Sequence, residues 1–209
     1  AAAEGCDIII THHPVIFHPL KRLNSASYTE RCVEQAVRRG IALYAAHTNL
    51  DSTPEGMSWR VGHMLGLESM RVLEPAAAGG GAGFGVVGEL PTEEPTEEFM
   101  RHVMRRFGVQ ALRHGDIVRP TVRRVAICTG AGGSLIDEAL AAEADIYLTA
   151  DLRYNDFMRH EGRMILVDMG HFESEYCAIE ILFDILSKKL PIFAIRKSVR
   201  SRNPVNYMV

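Results

Sequence analysis

Met164-Ile165-Leu166-Val167-Asp168-Met169-Gly170-His171-Phe172-Glu173-Ser174-Glu175 decides the reading of this chain. Its first four residues are a short apolar run that ends at Asp168, the pattern of a buried strand. His171 and Glu175 follow, four residues apart, and Glu175 opens a stretch to Lys189 that reads as a helix, so both side chains can point from one face of its first turn. In open α/β sheets, ligands sit at the carboxyl ends of strands. The same arrangement occurs twice upstream. Asp7-Ile8-Ile9-Ile10-Thr11 delivers His12-His13-Pro14, and Ile41-Ala42-Leu43-Tyr44-Ala45-Ala46 delivers His47-Thr48-Asn49-Leu50-Asp51. Three strand ends thus present one chemistry, and the chain is an α/β protein.

That chemistry is imidazole and carboxylate without thiolate, the ligand set of catalytic zinc, iron or manganese rather than of a four-cysteine structural zinc. Adjacent residues in extended backbone point to opposite sides, so His12 and His13 suit two ions better than one. Asp51 and Glu175 each have two oxygens and can bridge a pair of ions, which in two-metal sites lie roughly 3.5 to 4 Å apart. The spacing favours a dinuclear centre. A single histidine after a strand is more often an ordinary loop residue, and His18, His63, His102, His114 and His160 are read that way. His47 either joins the ligands or orients Asp51 from behind. The three clusters together point to metal.

The segments Asp7 to Pro14, Ala46 to Asp51 and Asp168 to Glu175 resemble the Nif-three-like dinuclear-metal family, whose members are often labelled GTP cyclohydrolase 1 type 2 homologues. Thr149 to Tyr154 and Asn203-Pro204-Val205 look like further landmarks of that family. The resemblance runs nearly end to end. It implies two divalent ions (zinc, iron or manganese) held by His12, His13, Asp51, His171 and Glu175, with His47 beside them. It also implies two α/β domains with mixed sheets, the metal site at strand ends between them, and a toroidal homohexamer. Family members usually carry a further helix and strand before the first histidine motif, so Ala1 to Gly5 resembles the last turn of a helix and an incomplete amino terminus is expected. Many relatives also have histidine where this chain has Asn155, and the inserted domain of longer relatives has no room here.

The expected domains are residues 1–75 and 76–209, the carboxyl-terminal part of the second packing back on the first. The stretch Ala76-Ala77-Ala78-Gly79-Gly80-Gly81-Ala82-Gly83 between them reads as a linker or surface loop. It lacks the Gly-Lys-Ser/Thr ending of a phosphate loop. Gly83 to Leu90 reads as a strand, Thr96 to Phe107 as a helix opened by Pro95, and Val122 to Cys128 and Asp145 to Thr149 as strands. The turn Thr129-Gly130-Ala131-Gly132-Gly133-Ser134 precedes a helix over Leu135 to Glu143; it either approaches an anion with its N–H groups or simply packs, with Ser134 as the cap. Asp151 either hydrogen-bonds a ligand histidine or caps the next helix.

The chain has 209 residues, 47% of them apolar, enough for one large core or two small ones. A net charge of -3, from 23 basic and 26 acidic residues, gives no general attraction to nucleic acid or acidic membrane. The basic block Lys188 to Arg202 has few aromatic partners for bases, so a solvated face or subunit contact is expected there. No segment approaches the ~20 apolar residues of a membrane span and no signal peptide is visible, so the expected location is cytoplasmic. Cys6, Cys32, Cys128 and Cys177 are spaced for neither a zinc ribbon nor a redox pair and read as buried free thiols.

Two functions are carried forward. The first is a metal-dependent hydrolase acting on a nucleotide or related heterocycle, with His47 or Glu173 moving protons; for the reaction the family label implies, GTP loses a ring carbon as formate. The second is a non-catalytic metal-binding ring scaffold or metal-handling protein.

Overall fold

The computed structural model describes residues 1–77 and 79–208. The chain forms two compact units, Ala1–Leu50 and Asp51–Val209.

In the first unit β1 (Ile8–Thr11) leads through a long connection to α1 (Tyr28–Arg38), β2 (Ala42–Ala45) and the single-turn α2 (Thr48–Asp51), whose last residue opens the second unit. β1 and β2 pair in parallel, Ile8 with Ala42 through Thr11 with Ala45. Parallel strands are joined by a crossover that usually runs through a helix, and α1 lies between these two. Ser27 starts α1 by accepting the Glu30 N–H at 3.1 Å.

The second unit holds α3 (Met57–Met64), β3 (Glu68–Pro75), β4 (Gly83–Pro95), α4 (Thr96–Phe107), β5 (Arg113–His114), β6 (Thr121–Ala131), α5 (Ile136–Ala141), β7 (Ile146–Ala150), β8 (Ile165–Asp168), α6 (His171–Glu175) and α7 (Ala178–Lys189). Its strands make one mixed sheet in the order β3-β4-β6-β7-β8-β5. β6, β7 and β8 run parallel; β3, β4 and β5 join antiparallel. Every residue of β7 and β8 is buried, as expected of parallel strands covered on both faces. Tyr147, Met164, Leu166 and Ile136 pack in the core beneath them.

The mixed α/β architecture agrees with the sequence reading, and several details differ. β3 and β4 pair as a hairpin across the glycine-rich stretch, with Pro75 opposite Gly83. The chain therefore divides after Leu50 rather than at the expected boundary after Pro75, because ladder hydrogen bonds tie both sides of that stretch together. Ala78, within the expected linker, lies outside the described residues. The helix expected from Glu175 to Lys189 is two helices, with Glu175 ending α6 and Ala178 beginning α7. Ser134 does not cap α5; a short 3₁₀ turn, Gly133–Leu135, intervenes, and no side chain caps the helix start. α4 occupies the expected Thr96–Phe107, with Glu97 and Glu98 in its first turn, Arg105 and Arg106 in its last, and Gly108 closing it at φ 67. Among the described residues no helix is long and apolar enough to cross a membrane.

Candidate metal-binding groups

In the first unit the ends of β1 and β2 lie side by side, as parallel pairing requires, and the histidines follow from there. His12, His13 and His47 each offer one ring nitrogen, and the three lie within 4.8 Å of one another. The His12 ring is 4.9 Å from that of His13 and 5.3 Å from that of His47, centroid to centroid. His12 is buried, and its Nδ1 lies 2.8 Å from the Ala46 carbonyl oxygen. A carbonyl only accepts, so Nδ1 carries the proton and the Nε2 lone pair is directed elsewhere. Such a bond is what orients an imidazole for a metal. Thr11 Oγ1 donates to the His13 carbonyl at 2.8 Å and holds the backbone there.

The second unit brings the other three residues together. The carboxyl ends of parallel β6, β7 and β8 are adjacent, and they carry Gly130, Asp151 and Gly170-His171. His171 Nε2 lies 3.1 Å from Glu175 Oε2 and its Nδ1 2.8 Å from Asp151 Oδ2. Asp51 and Glu175 each place a carboxylate oxygen within 4.8 Å of the other. The hydrogen bond from Glu175, then its charge and the contact with Asp151, push His171 up to about 9 against the opposing effect of burial. Of the two readings open for Asp151, the structure carries the one that places it on His171. Its φ of 55 is unusual for a non-glycine residue.

Residues to which the sequence reading gave no part in the metal site set this geometry. Gly130, at φ 67, has no side chain, and a Cβ there would overlap Glu175 Oε1. The glycine is what lets the carboxylate approach the strand end. Gly130 N–H donates to Ser174 Oγ at 3.0 Å, and Ser174 Oγ donates to the His171 carbonyl at 2.9 Å. Thr129 N–H donates to Ser58 Oγ at 3.2 Å and Gly132 N–H to Thr149 Oγ1 at 3.0 Å. Three N–H groups of this turn, those of Thr129, Gly130 and Gly132, are thus bonded to hydroxyls and serve its packing.

A second fastening joins the loops after β7 and β8. The buried Asp168 accepts from Arg113 Nη1 at 2.9 Å and from the N–H groups of Leu152, at 3.2 Å, and Gly170, at 3.1 Å. Arg113 also donates to the Leu152 carbonyl at 3.0 Å. Asp151 and His171 are neighbours of these bonded residues along the chain, so the pair fixes the loops that carry them. Only Asp168 lay within a quoted motif; Arg113 sits in a two-residue strand without a sequence signature.

Glu173 belongs to neither group. Its Oε1 accepts from Asn203 Nδ2 at 2.8 Å, and its other oxygen lies against Gly170, on a different side of α6 from His171 and Glu175. That position does not suit the proton-carrying role expected of it. Of the cysteines only Cys177 is buried; Cys6, Cys32 and Cys128 are half-buried, and all four are free thiols.

A mixed α/β chain whose strand ends carry histidine and glutamate groups able to hold a metal ion is the class these observations define. The family profile described as Duf34/NIF3 (NGG1p interacting factor 3) matches residues 1–204, and the chain belongs to that family. It is 33% identical over 213 residues to the GTP cyclohydrolase 1 type 2 homolog of Lactococcus lactis, covering 98% of this chain and 78% of that protein. It is 31% identical over 193 residues to the protein of the same name from Nostoc, covering 89% and 71%. The solved structure of a Bacillus cereus protein related to NIF3 superposes with a TM-score of 0.88 at 21% identity, covering 99% of this chain and 84% of that one. That last likeness concerns the fold alone.

Proposed function

We propose that this chain is a dinuclear divalent-metal protein and a metal-dependent hydrolase acting on a nucleotide or related heterocycle. His12, His13, Asp51, His171 and Glu175 would hold two ions of zinc, iron or manganese. The observation that carries the reading is the set around Glu175: one buried carboxylate in a cradle that a Cβ at Gly130 would fill, against His171 and within 4.8 Å of an Asp51 oxygen. A carboxylate so placed suits a bridging ligand. When bound, the ions supply Lewis acidity toward an electrophilic carbon of the substrate.

The chain's own groups have separate tasks in this reading. His12 keeps its proton on Nδ1 through Ala46 and offers Nε2. Asp151 holds the Nδ1 side of His171 and leaves Nε2 toward Glu175. His47, whose ring lies 5.3 Å from that of His12 and 5.4 Å from that of His13, would move a proton. The names of the relatives supply GTP as the first substrate to try. The resemblance adds a ring of six chains, and light scattering at sixfold chain mass would support it where a stable monomer would overturn it.

The test joins elemental analysis of protein purified without chelator to a formate-release assay with GTP, before and after metal removal. Two ions per chain with formate release that is lost on chelation and restored by metal is the expected result. Two ions without turnover on GTP or other nucleotides moves the weight to the metal-binding scaffold, and a chain without metal overturns both.

A further inference from the structure

α6 is a single turn, His171–Glu175, yet it carries two of the residues proposed to hold metal. An isolated helix of this length is not stable in water, so its position depends on what grips it. On the inner side Ser174 Oγ takes the Gly130 N–H at 3.0 Å. At its start Gly170 offers no side-chain cap. Asp168 accepts the Gly170 N–H at 3.1 Å instead, and the Glu173 carboxylate lies so close over Gly170 that a Cβ there would overlap its Oε2.

The outer side of α6 meets the chain that follows α7. From Leu190 to Met208 that segment has neither helix nor strand, and Ile192, Phe193 and Val199 are exposed, so it has no apolar core of its own. Polar fastenings hold it. Lys197 pairs with Glu180 of α7 and stands 4.5 Å from the centre of the Phe183 ring. Asn203 Nδ2 donates to Glu173 Oε1 at 2.8 Å while its Oδ1 accepts the Val205 N–H at 2.9 Å, so both ends of the amide are set. The space between segment and helix is not filled. A groove of about 480 Å³ is lined by Phe172, Glu173 and Tyr176 of α6 and by Arg202, Asn203 and Tyr207 of the segment. The hydrogen bond therefore supplies a hold that packing does not.

We propose that Asn203 is a positioning residue: by keeping Glu173 over Gly170 it fixes α6, and with it the directions of His171 and Glu175. The amide is suited to this because it presents a donor to the carboxylate and an acceptor to the Val205 N–H at once, where an aspartate of the same shape presents acceptors alone. Glu173 thereby gains a task, as the link between segment and helix. The inference rests on the metal reading only for what His171 and Glu175 hold; the grip on α6 exists without an ion.

Two measurements on the metal-free full chain test it. Asn203→Asp keeps the bond to Val205 but sets a second carboxylate against Glu173, and it should quicken amide exchange at Ser174 and Glu175 about tenfold while β7 and β8 stay as they were. Adding Glu173→Gln reverses donor and acceptor, since the introduced amide donates to the introduced carboxylate, and should restore slow exchange. Cobalt(II), whose visible bands report ligand geometry, is then titrated into each chain. Its affinity should fall about tenfold in the single variant, with altered bands, and return with the original spectrum in the double variant. Exchange at Ser174 and Glu175 that Asn203→Asp leaves unchanged, or that Glu173→Gln does not restore, overturns the inference. Cobalt affinity and spectrum unmoved in a variant with faster exchange also overturn it, because α6 would then not govern the ligands. An unaltered chain that takes up no cobalt while exchange follows the expected pattern removes the metal reading and supports the hold of Asn203 on α6.

Discussion

The histidines of the first unit and the carboxylates of the second are held in different ways. His12, His13 and His47 rise from two four-residue strands, and in β2 Leu43 and Tyr44 remain 38% and 55% exposed. A hydrogen bond to the Ala46 carbonyl orients His12, and its ring lies against those of His13 and His47. Asp51, His171 and Glu175 belong to a unit whose central strands are buried throughout, with hydroxyls bonded to the turn above Glu175 and a carboxylate-guanidinium pair fastening the neighbouring loops. Local stability follows buried contact, so the groups of the second unit are expected to be held more firmly than the histidines of the first.

The largest effect expected from this contrast is in amide hydrogen exchange. Amides of β7 and β8 should be protected about a thousandfold more than those of β1 and β2, a gap of roughly 4 kcal/mol in opening free energy. Equal protection would remove the distinction. Next in size is Glu175→Ala, which takes away the buried carboxylate proposed as a ligand; since partners one step removed from a metal cost ~10–100-fold, metal affinity should fall by about a hundredfold or more in chelator competition. Gly130→Ala should act through the same carboxylate without touching it. It introduces a side chain at φ 67 and into Glu175, lowering stability by about 1–3 kcal/mol and metal affinity by roughly tenfold. A variant with unchanged urea midpoint and metal content would show that the cradle has slack.

The smallest effect is in pH. Metal-free His171 holds its proton to about 9, above its ordinary 6.5, because Glu175 and then Asp151 favour the charged ring. A raised folded-state value stabilises fully below 6.5, and that stabilisation is lost as pH rises through about 9. The melting temperature of chelated protein should therefore fall by a few degrees across that interval, and His171→Ala should flatten the slope. Metal must displace this proton, so titration at neutral pH in buffers of different ionisation enthalpy should register proton release.

Much of the site was legible because its parts are local. Aliphatic runs leading to His12, His47 and His171 declare strands and what they deliver, although only β8 is buried and β1 and β2 are partly exposed, and Pro95 with Gly108 brackets α4 at its true ends. What was illegible depends on partners distant in sequence. β5 is two residues long and exists only as a neighbour of β8, and Arg113 acquires its role from Asp168, 55 positions away. The glycine-rich stretch after Pro75 has the composition of a linker whether or not its flanks pair, and here they pair. The sequence of the turn at Gly130 cannot show that Ser58, Thr149 and Ser174 arrive from three other elements to bond the N–H groups of Thr129, Gly132 and Gly130.

β5 has one more consequence. It covers the outer edge of β8, a strand of four buried residues, with only Arg113 and His114, both exposed, and the Gly115 N–H adds a bond to the Leu166 carbonyl at 2.9 Å. An uncovered aliphatic edge is a template on which other chains assemble into aggregates. A covering strand this short, and charged, satisfies the edge while offering too little length for a stranger to extend the sheet. The residue that fastens the loops beside His171 therefore also guards the sheet against its own copies.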